Sequence, residues 1–380
     1  MLENLQPATR IDLPKNIKVG IEFDGFQGEA TTPGYAGDKA DFDAFLIDAG
    51  FDPDEIEIVG VPRTSRWQKY DGDWLTSYKF QFRKKTAGIN LPMLLAEAKK
   101  QVKPYKTTDS GKCLVVLWSD LQVGKVDYRG GAVEFMQRVA TMQDRLLEVC
   151  KKNRFEKIIF ADLGDTVENF SNAANLQQLQ SNDLSLMEQV DLAATLAWQT
   201  IKKLVKYAPV TYASIGSNHC QWRVSKQVVG KPTDDWGVFI GRQLAKLAAE
   251  ANLPISFLEP QPHDESLAID VFGDQFHVLG MVHGHQASRP DEMGRWWRGQ
   301  AFGNQAVKDA TILVHGHWHH LRVTELGSTP RGTSRFIVMG TTLDNGSGWW
   351  RRTTGEDSVP GLTCFILEKD REFTGTVWKL

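Results

Sequence analysis

Residues 312–320 read Ile-Leu-Val-His-Gly-His-Trp-His-His, an apolar strand that runs straight into a Gly-His-x-His turn. A lone histidine on a strand is ordinarily a satisfied structural residue, so this stretch gains its meaning from what precedes it. Four more fragments rich in ligand-type side chains each follow an apolar run of their own. They are Asp120-Leu121-Gln122, Gly164-Asp165-Thr166-Val167-Glu168, Ser217-Asn218-His219 and His283-Gly284-His285. Strand ends are where loops converge over a sheet edge, so residues distant in sequence can meet there. Carboxylate, amide and imidazole donors in this order suit divalent cations with a mixed nitrogen and oxygen shell.

The pattern around these fragments is strand-helix alternation. Apolar strands are predicted near 113–118, 157–163 and 210–215, with helices near 131–151, 184–207 and 235–251 between and after them. Phe135, Val139, Met142 and Leu146 step by four, three and four along the first helix. Strands with short loops follow near 267–272, 276–282, 311–314, 321–326, 336–339 and 362–367. Fully apolar strands feeding helices, then a run of further strands, predict an α/β sandwich over 111–380.

The N-terminal third reads differently. Residues 1–16 are polar and expected to be irregular, and 17–86 form a small α+β unit. A helix is predicted over 41–49, and strands over 56–61 and 77–82 flank the turn signal Asp71-Gly72-Asp73. A basic hairpin behind a helix, with Arg63, Arg66, Lys69, Lys79 and Arg83, is compatible with a winged-helix-like DNA-binding module. A basic linker, helical over 91–102, spans 87–110.

Bulk composition narrows the classes. The 380 residues are 41% hydrophobic and 24% charged with net charge -3, which excludes wholesale disorder and a global basic field. Cys113, Cys150, Cys220 and Cys364 have no zinc-ligand spacing and imply a reducing compartment. No basic-then-apolar leader and no long apolar run are visible, so a cytoplasmic protein without membrane contact is expected. Val123-Gly124-Lys125 lacks the Gly-rich spacing of a phosphate loop, and there is no triad signature or dinucleotide fingerprint.

The five fragments together resemble the calcineurin-like metallophosphoesterase superfamily over roughly 112–345, with the pattern Asp-x-His, Gly-Asp-x-x-Asp, Gly-Asn-His-acid, His and Gly-His-x-His. The resemblance implies a four-layer αββα sandwich and two divalent ions, with Mn²⁺ the first expectation and Zn, Fe, Mg or Ni as alternatives. It implies that Asp165 bridges the ions, that Asp120, Gln122 and His319 complete one site, and that Asn218, His283 and His317 complete the other. His219 would stand near the leaving oxygen as the catalytic residue, protonating it or binding the phosphate. Water activated between the ions would attack phosphorus in line. Gln122 stands where the family has His, which weakens that site and favours an oxygen-tolerant ion. Cys220 replaces the acid that would orient His219, Ser217 replaces Gly, and Glu168 takes the second Asp place.

The chain carries 12 Trp, and two aromatic-basic stretches, expected to be loops, point to the substrate. Arg289, Arg295, Trp296, Trp297 and Arg298 follow the His283 strand, and Trp349, Trp350, Arg351 and Arg352 follow the Gly-rich 344–348. Arg contacts phosphates and Trp stacks on bases, so both are expected to form a nucleic-acid groove. Packing against a second subunit, as in a homo-oligomer, is the alternative. The expected function is a metal-dependent phosphodiesterase, a DNA endo- or exonuclease similar to SbcD-like repair nucleases and compact phage and bacterial phosphoesterases. The short segment after 345 leaves little room for a C-terminal capping domain, which argues against an SMC-like ATPase partner. Alternatives are a phosphatase or phosphodiesterase acting on a small nucleotide or protein phosphate, and a degenerate metal-binding scaffold without catalysis.

Overall fold

The computed structural model describes residues 18–23, 27–36, 41–84, 100, 103, 108–169, 181–224 and 227–380. The chain divides into two units, Met1–Ile89 and Asn90–Leu380. The expected irregular segment 1–16 and most of the linker 87–110 lie outside the described residues.

The first unit is an antiparallel sheet of β1 (Gly20–Phe23), β2 (Gln27–Thr31), β3 (Tyr35–Ala36), β4 (Ile56–Gln68) and β5 (Trp74–Lys84). β5 is its hub, pairing with β2, β3 and β4. The β4–β5 hairpin turns over Asp71-Gly72-Asp73, where Gly72 takes a φ of 95° that a side chain would resist. Helix α1 (Phe42–Asp48) begins where the Asp41 carboxylate accepts from Ala44 N–H. It buries Leu46, with Phe42 and Phe45, against Phe80 and Phe82. Both hairpin strands run further than their alternating cores suggest. Among the described residues this unit has one α-helix, so no helix-turn-helix pair is present there. Lys79 is ion-paired to Glu29 at 2.5 Å, which neutralises part of the hairpin's positive charge.

The second unit is mixed α/β. One sheet holds β6 (Lys112–Trp118), β7 (Lys157–Asp162) and β8 (Val210–Ser214), all parallel. The short ribbon β9 (Arg223–Val224) and β10 (Gln227–Val228) stands apart. β11 (Ile255–Leu258) extends the first sheet in parallel beside β8. A second sheet holds β12 (Ser266–Asp270), β13 (Val278–Val282), β14 (Ile312–His315), β15 (Arg322–Ser328) and β16 (Ser334–Met339), with β13, β14 and β16 mutually parallel. β17 (Thr363–Glu368) and β18 (Trp378–Lys379) then close the first sheet on the far side of β6.

Side-chain alternation explains how the two sheets meet. Val115, Leu117, Ile159 and Ala161 point one way and share a buried cluster with Leu279, Met281, Ile312, Val314 and Val338 of the second sheet. The helices take the remaining apolar faces. α2 (Ala132–Lys152) buries the predicted stripe Phe135, Val139, Met142 and Leu146. α3 (Leu186–Leu204) starts with a Ser185/Glu188 capping box, and α4 (Trp236–Glu250) with Asp235 accepting from Gly237 and Val238 N–H. The Asp235 carboxylate also accepts from Ser217 N–H at 2.9 Å, tying the cap of α4 to the Asn218 loop.

The two stretches read as aromatic-basic loops are instead helical. Pro290–Glu292 forms a 3₁₀ turn leading into α5 (Met293–Phe302), and α6 (Gly348–Thr354) is capped by Ser347. In α5 the apolar face wins: Met293 and Trp297 are buried with Val282, Leu313 and Ile337, and the Trp297 indole N–H donates to Val307 O at 2.9 Å. Trp297, expected at the substrate, is instead buried against the second sheet. Among the described residues no helix is long and apolar enough to cross a membrane. Replacing Trp297 by Ala should cost about 3–5 kcal/mol of stability, read as a fall in the denaturant midpoint. An unchanged midpoint would contradict its role as an anchor.

Candidate metal centre

The parallel strands bring their C-terminal ends to one edge, and the candidate ligands follow those ends. Asp120 follows β6, Asp165 follows β7, Asn218 and His219 follow β8, His283 follows β13, and His317 and His319 follow β14. The backbone there is unusual. Among the described residues nine non-glycine residues have positive φ, and five of them are Asp120, Gln122, Asp165, His317 and His319, at 43–71°. Left-handed backbone at such residues costs roughly 1–3 kcal/mol each and persists only where surrounding bonds enforce it.

Those bonds are present. Asp120 N–H donates to Gly164 O at 3.1 Å, Gln122 N–H to Asp165 O at 2.8 Å, and Gly316 N–H to His283 O at 2.8 Å. His317 N–H donates to both Asp120 carboxylate oxygens at 3.0 Å. The loops pack so closely that a methyl group on Gly316 would collide with Ser119 Oγ and the Asp120 carboxylate.

Asp165 sits at the centre. Its own N–H donates to Ser217 Oγ at 2.8 Å, and its Oδ1 accepts from His219 N–H at 2.9 Å. Its Oδ2 lies 3.1 Å from His283 Nε2. Asp165, His283 and His317 can each offer one ligand atom, all within 4.8 Å of one another. Asn218 Oδ1 is buried without a hydrogen-bond partner, although such atoms are normally satisfied, and the buried His283 Nε2 faces the Asp165 carboxylate. His283 Nδ1–H donates to Leu163 O at 2.7 Å, which aims Nε2 at the cluster. A divalent cation fits the carboxylate and two imidazoles of Asp165, His283 and His317.

The electrostatics agree. Burial would raise the Asp165 carboxyl, but His283 and His219 hold it well below the usual carboxylate range. Burial would lower His283, but the Asp165 carboxylate outweighs it and lifts the pKa to about 9. Burial and the neighbouring His283 lower His317 to about 3, so its ring is neutral and open to coordination.

The expected partner site is built differently. Asp120 and His319 approach at 3.4 Å, but Gln122 is committed elsewhere: its Oε1 accepts from the Lys125 ammonium at 2.6 Å. A lysine only donates, so the amide oxygen must face it. The same ammonium donates to Asp344 Oδ2 at 2.7 Å. Burial would lower the Lys125 pKa, but Asp344 and Glu168 hold it above the ordinary lysine value. Neither Lys125 nor Asp344 was singled out from sequence as part of the site. They are 219 residues apart, and each looks unremarkable in its own segment.

His219 lies at the mouth of the cluster. Its Nδ1 donates to the Glu168 main-chain carbonyl at 3.1 Å and lies 3.3 Å from Glu168 Oε2, and the carboxylates of Asp165 and Glu168 overcome the effect of burial to raise its pKa to about 9. Glu168 thus orients the ring through its main-chain carbonyl and places a carboxylate beside it, where the sequence has no acid after His219. Cys220 is buried under the loop, where Val167 N–H approaches its sulfur at 3.5 Å.

A cavity of about 1070 Å³ opens in front of these residues and is lined by Asp165, His219, Lys125, His317 and His319. Its far wall carries Trp318, Trp349, Trp350 and Arg352. Trp350 stands between Trp318 and Trp349, with ring centroids 6.4 and 6.1 Å away. The Arg351 guanidinium lies over the Tyr128 ring at 5.2 Å. Arg289, Arg295, Trp296 and Arg298 belong to the α5 segment and do not line this cavity. His285 lies beside His283 with ring centroids 5.5 Å apart, and His277 Nε2 approaches the Glu368 and Arg371 carbonyls, a structural role.

No family model matches the chain, and no curated protein matches it. Among solved structures it is similar to one described as "Structure of PhoD", with 10% sequence identity and a TM-score of 0.30. The match covers 70% of this chain and spans 65% of that one.

Metal binding at this cluster should depend on pH in a defined direction. Below about pH 9 the His283 imidazole carries a proton that a ligating cation must displace. Apparent Mn²⁺ affinity should therefore fall about tenfold for each pH unit lowered from 9 to 6. Calorimetric titrations across that range check this, and a pH-independent affinity would contradict it.

Proposed function

We propose that this protein is a metal-dependent phosphoesterase acting on phosphodiesters of nucleic acid, with DNA as the substrate. The observation that carries the reading is the Asp165, His283 and His317 cluster, of which Asp165 and His317 line a cavity that Trp and Arg side chains also line. Asp165, Asn218, His283 and His317 would hold a divalent ion. Such an ion supplies Lewis-acid stabilisation to phosphoryl oxygens and acidifies water. Mn²⁺ suits the mixed donor set.

The chain's own residues do the remainder. His219, held at 3.3 Å by Glu168 and lining the cavity, keeps a proton at neutral pH that it can pass to a leaving oxygen. The Lys125 ammonium lines the same cavity and places fixed positive charge where phosphoryl oxygens would lie. The exposed Trp349 and the half-buried Trp318 and Trp350 form a platform suited to stacked bases, with Arg352 available to the backbone. The shared core between the sheets, with helices on their other faces, supports reading the second unit as a four-layer αββα sandwich.

The test is hydrolysis of linear and closed circular DNA, single- and double-stranded, by metal-stripped protein resupplied with Mn²⁺. Asp165→Asn should abolish cutting while leaving the fold intact, and Trp350→Ala should lower kcat/KM on single-stranded DNA about tenfold. Turnover of aryl phosphodiesters with DNA untouched would replace DNA by a small phosphodiester. Full activity in Asp165→Asn would overturn the centre itself.

A further inference from the structure

We infer that the centre holds one divalent ion per chain, and that the Lys125 ammonium stands in the place of a second. The inference rests on the metal centre proposed above and departs from the two-ion expectation. The two halves of the site differ in what they leave available. On one side, Asn218 Oδ1 is buried with no hydrogen-bond partner, and Asp165, His283 and His317 turn their ligand atoms toward one another. On the other, the ligand atom of Gln122 is taken: Oε1 accepts from Lys125 Nζ at 2.6 Å. Gln122 has no other acceptor to offer, and its Nε2 faces the His219 ring at 3.5 Å.

The ammonium is itself built in. Lys125 is buried, its second bond runs to Asp344 Oδ2 at 2.7 Å, and Asp344 is fully buried. The Asp344 carboxylate is fixed in turn by Gly346 N–H at 3.0 Å. His319, the remaining imidazole of this half, lies between two carboxylates, 3.4 Å from Asp120 and 3.5 Å from Asp344. Among the described residues the only group of three His, Cys, Asp or Glu side chains with converging ligand atoms is Asp165, His283 and His317. A divalent ion on Gln122 Oε1 would have to share that oxygen with an ammonium of like charge, which Coulomb repulsion opposes. Where the sequence pattern leads one to expect an imidazole for a second metal, this chain has an amide that accepts from a lysine.

The substitution keeps one function of a second ion and gives up another. A fixed ammonium still offers positive charge to a phosphoryl oxygen in the cavity. It cannot acidify a water as a divalent ion does. The proton-handling burden then shifts toward His219, whose own partner Glu168 lies on the same edge.

The experiment is a metal count on the full chain, loaded with Mn²⁺ and desalted, by native mass spectrometry together with electron paramagnetic resonance. The expected result is one Mn²⁺ per chain with the spectrum of an isolated ion. The Lys125→Met/Gln122→His double variant, checked for folding by circular dichroism, should hold two ions with an exchange-coupled spectrum. Two ions in the unaltered protein would overturn the inference and leave the metal centre standing. A folded double variant that still holds one ion would overturn the part assigned to Lys125. No bound ion in the unaltered protein would overturn both this inference and the proposed centre.

Discussion

The Asp165 carboxylate is the constraint on which the rest of this edge depends. It is 1% exposed, and an ionised carboxylate so deeply buried is strongly unfavourable unless it is paired and hydrogen-bonded. Three other fragments of the centre contribute to meeting that cost, through His219, His283 and His317, whereas Asp120 adds a like charge. The Ser217 hydroxyl fixes its backbone, His219 N–H donates to one oxygen, and His283 approaches the other. Loops from both sheets are thereby brought together, and five left-handed non-glycine residues are kept in place. Removing that charge would loosen more than one ligand at once. A cation at the cluster would relieve the same charge, and this links folding of the edge to binding.

The second balance of charge lies a few residues away. Lys125 and Asp344 form a buried pair whose members are each satisfied by further bonds, to Gln122 and to Gly346 N–H. Breaking one partner of such a pair leaves an uncompensated buried charge, whereas the intact pair is rigid. That rigidity sets the orientation of the Gln122 amide and so decides what this half of the site can accept. It also anchors the turn leading into α6, which carries Trp349 and Trp350 to the cavity wall. Charge at the centre and shape at the cavity wall are therefore fixed by one interaction.

Much of this was legible in the sequence, and the reasons differ by element. Continuous apolar strands ending in Asp, Asn or His mark both the sheets and the ligand loops, because strand ends and ligand chemistry leave a local signal. The stripe Phe135, Val139, Met142 and Leu146 likewise reveals α2. The Lys125–Asp344 pair leaves no such trace: its partners are far apart in the chain, and only the fold brings them together. Glu168 was legible as an acid but not as the partner of His219, for the same reason. The helical stretches α5 and α6 were read as loops because Trp, Arg and Gly dominate them. Their helicity follows from a 3₁₀ lead-in, a Ser347 cap and tertiary burial of Met293 and Trp297.

The central claim is that a divalent ion sits on Asp165, Asn218, His283 and His317 with the Lys125 ammonium beside it. Anomalous diffraction at the manganese edge from crystals of the Mn²⁺-loaded protein tests it most directly. The account predicts one peak within coordination distance of those four side chains, with Lys125 Nζ still bonded to Gln122 and Asp344. A peak coordinated by Gln122 with Lys125 displaced, or none at this edge, would contradict it.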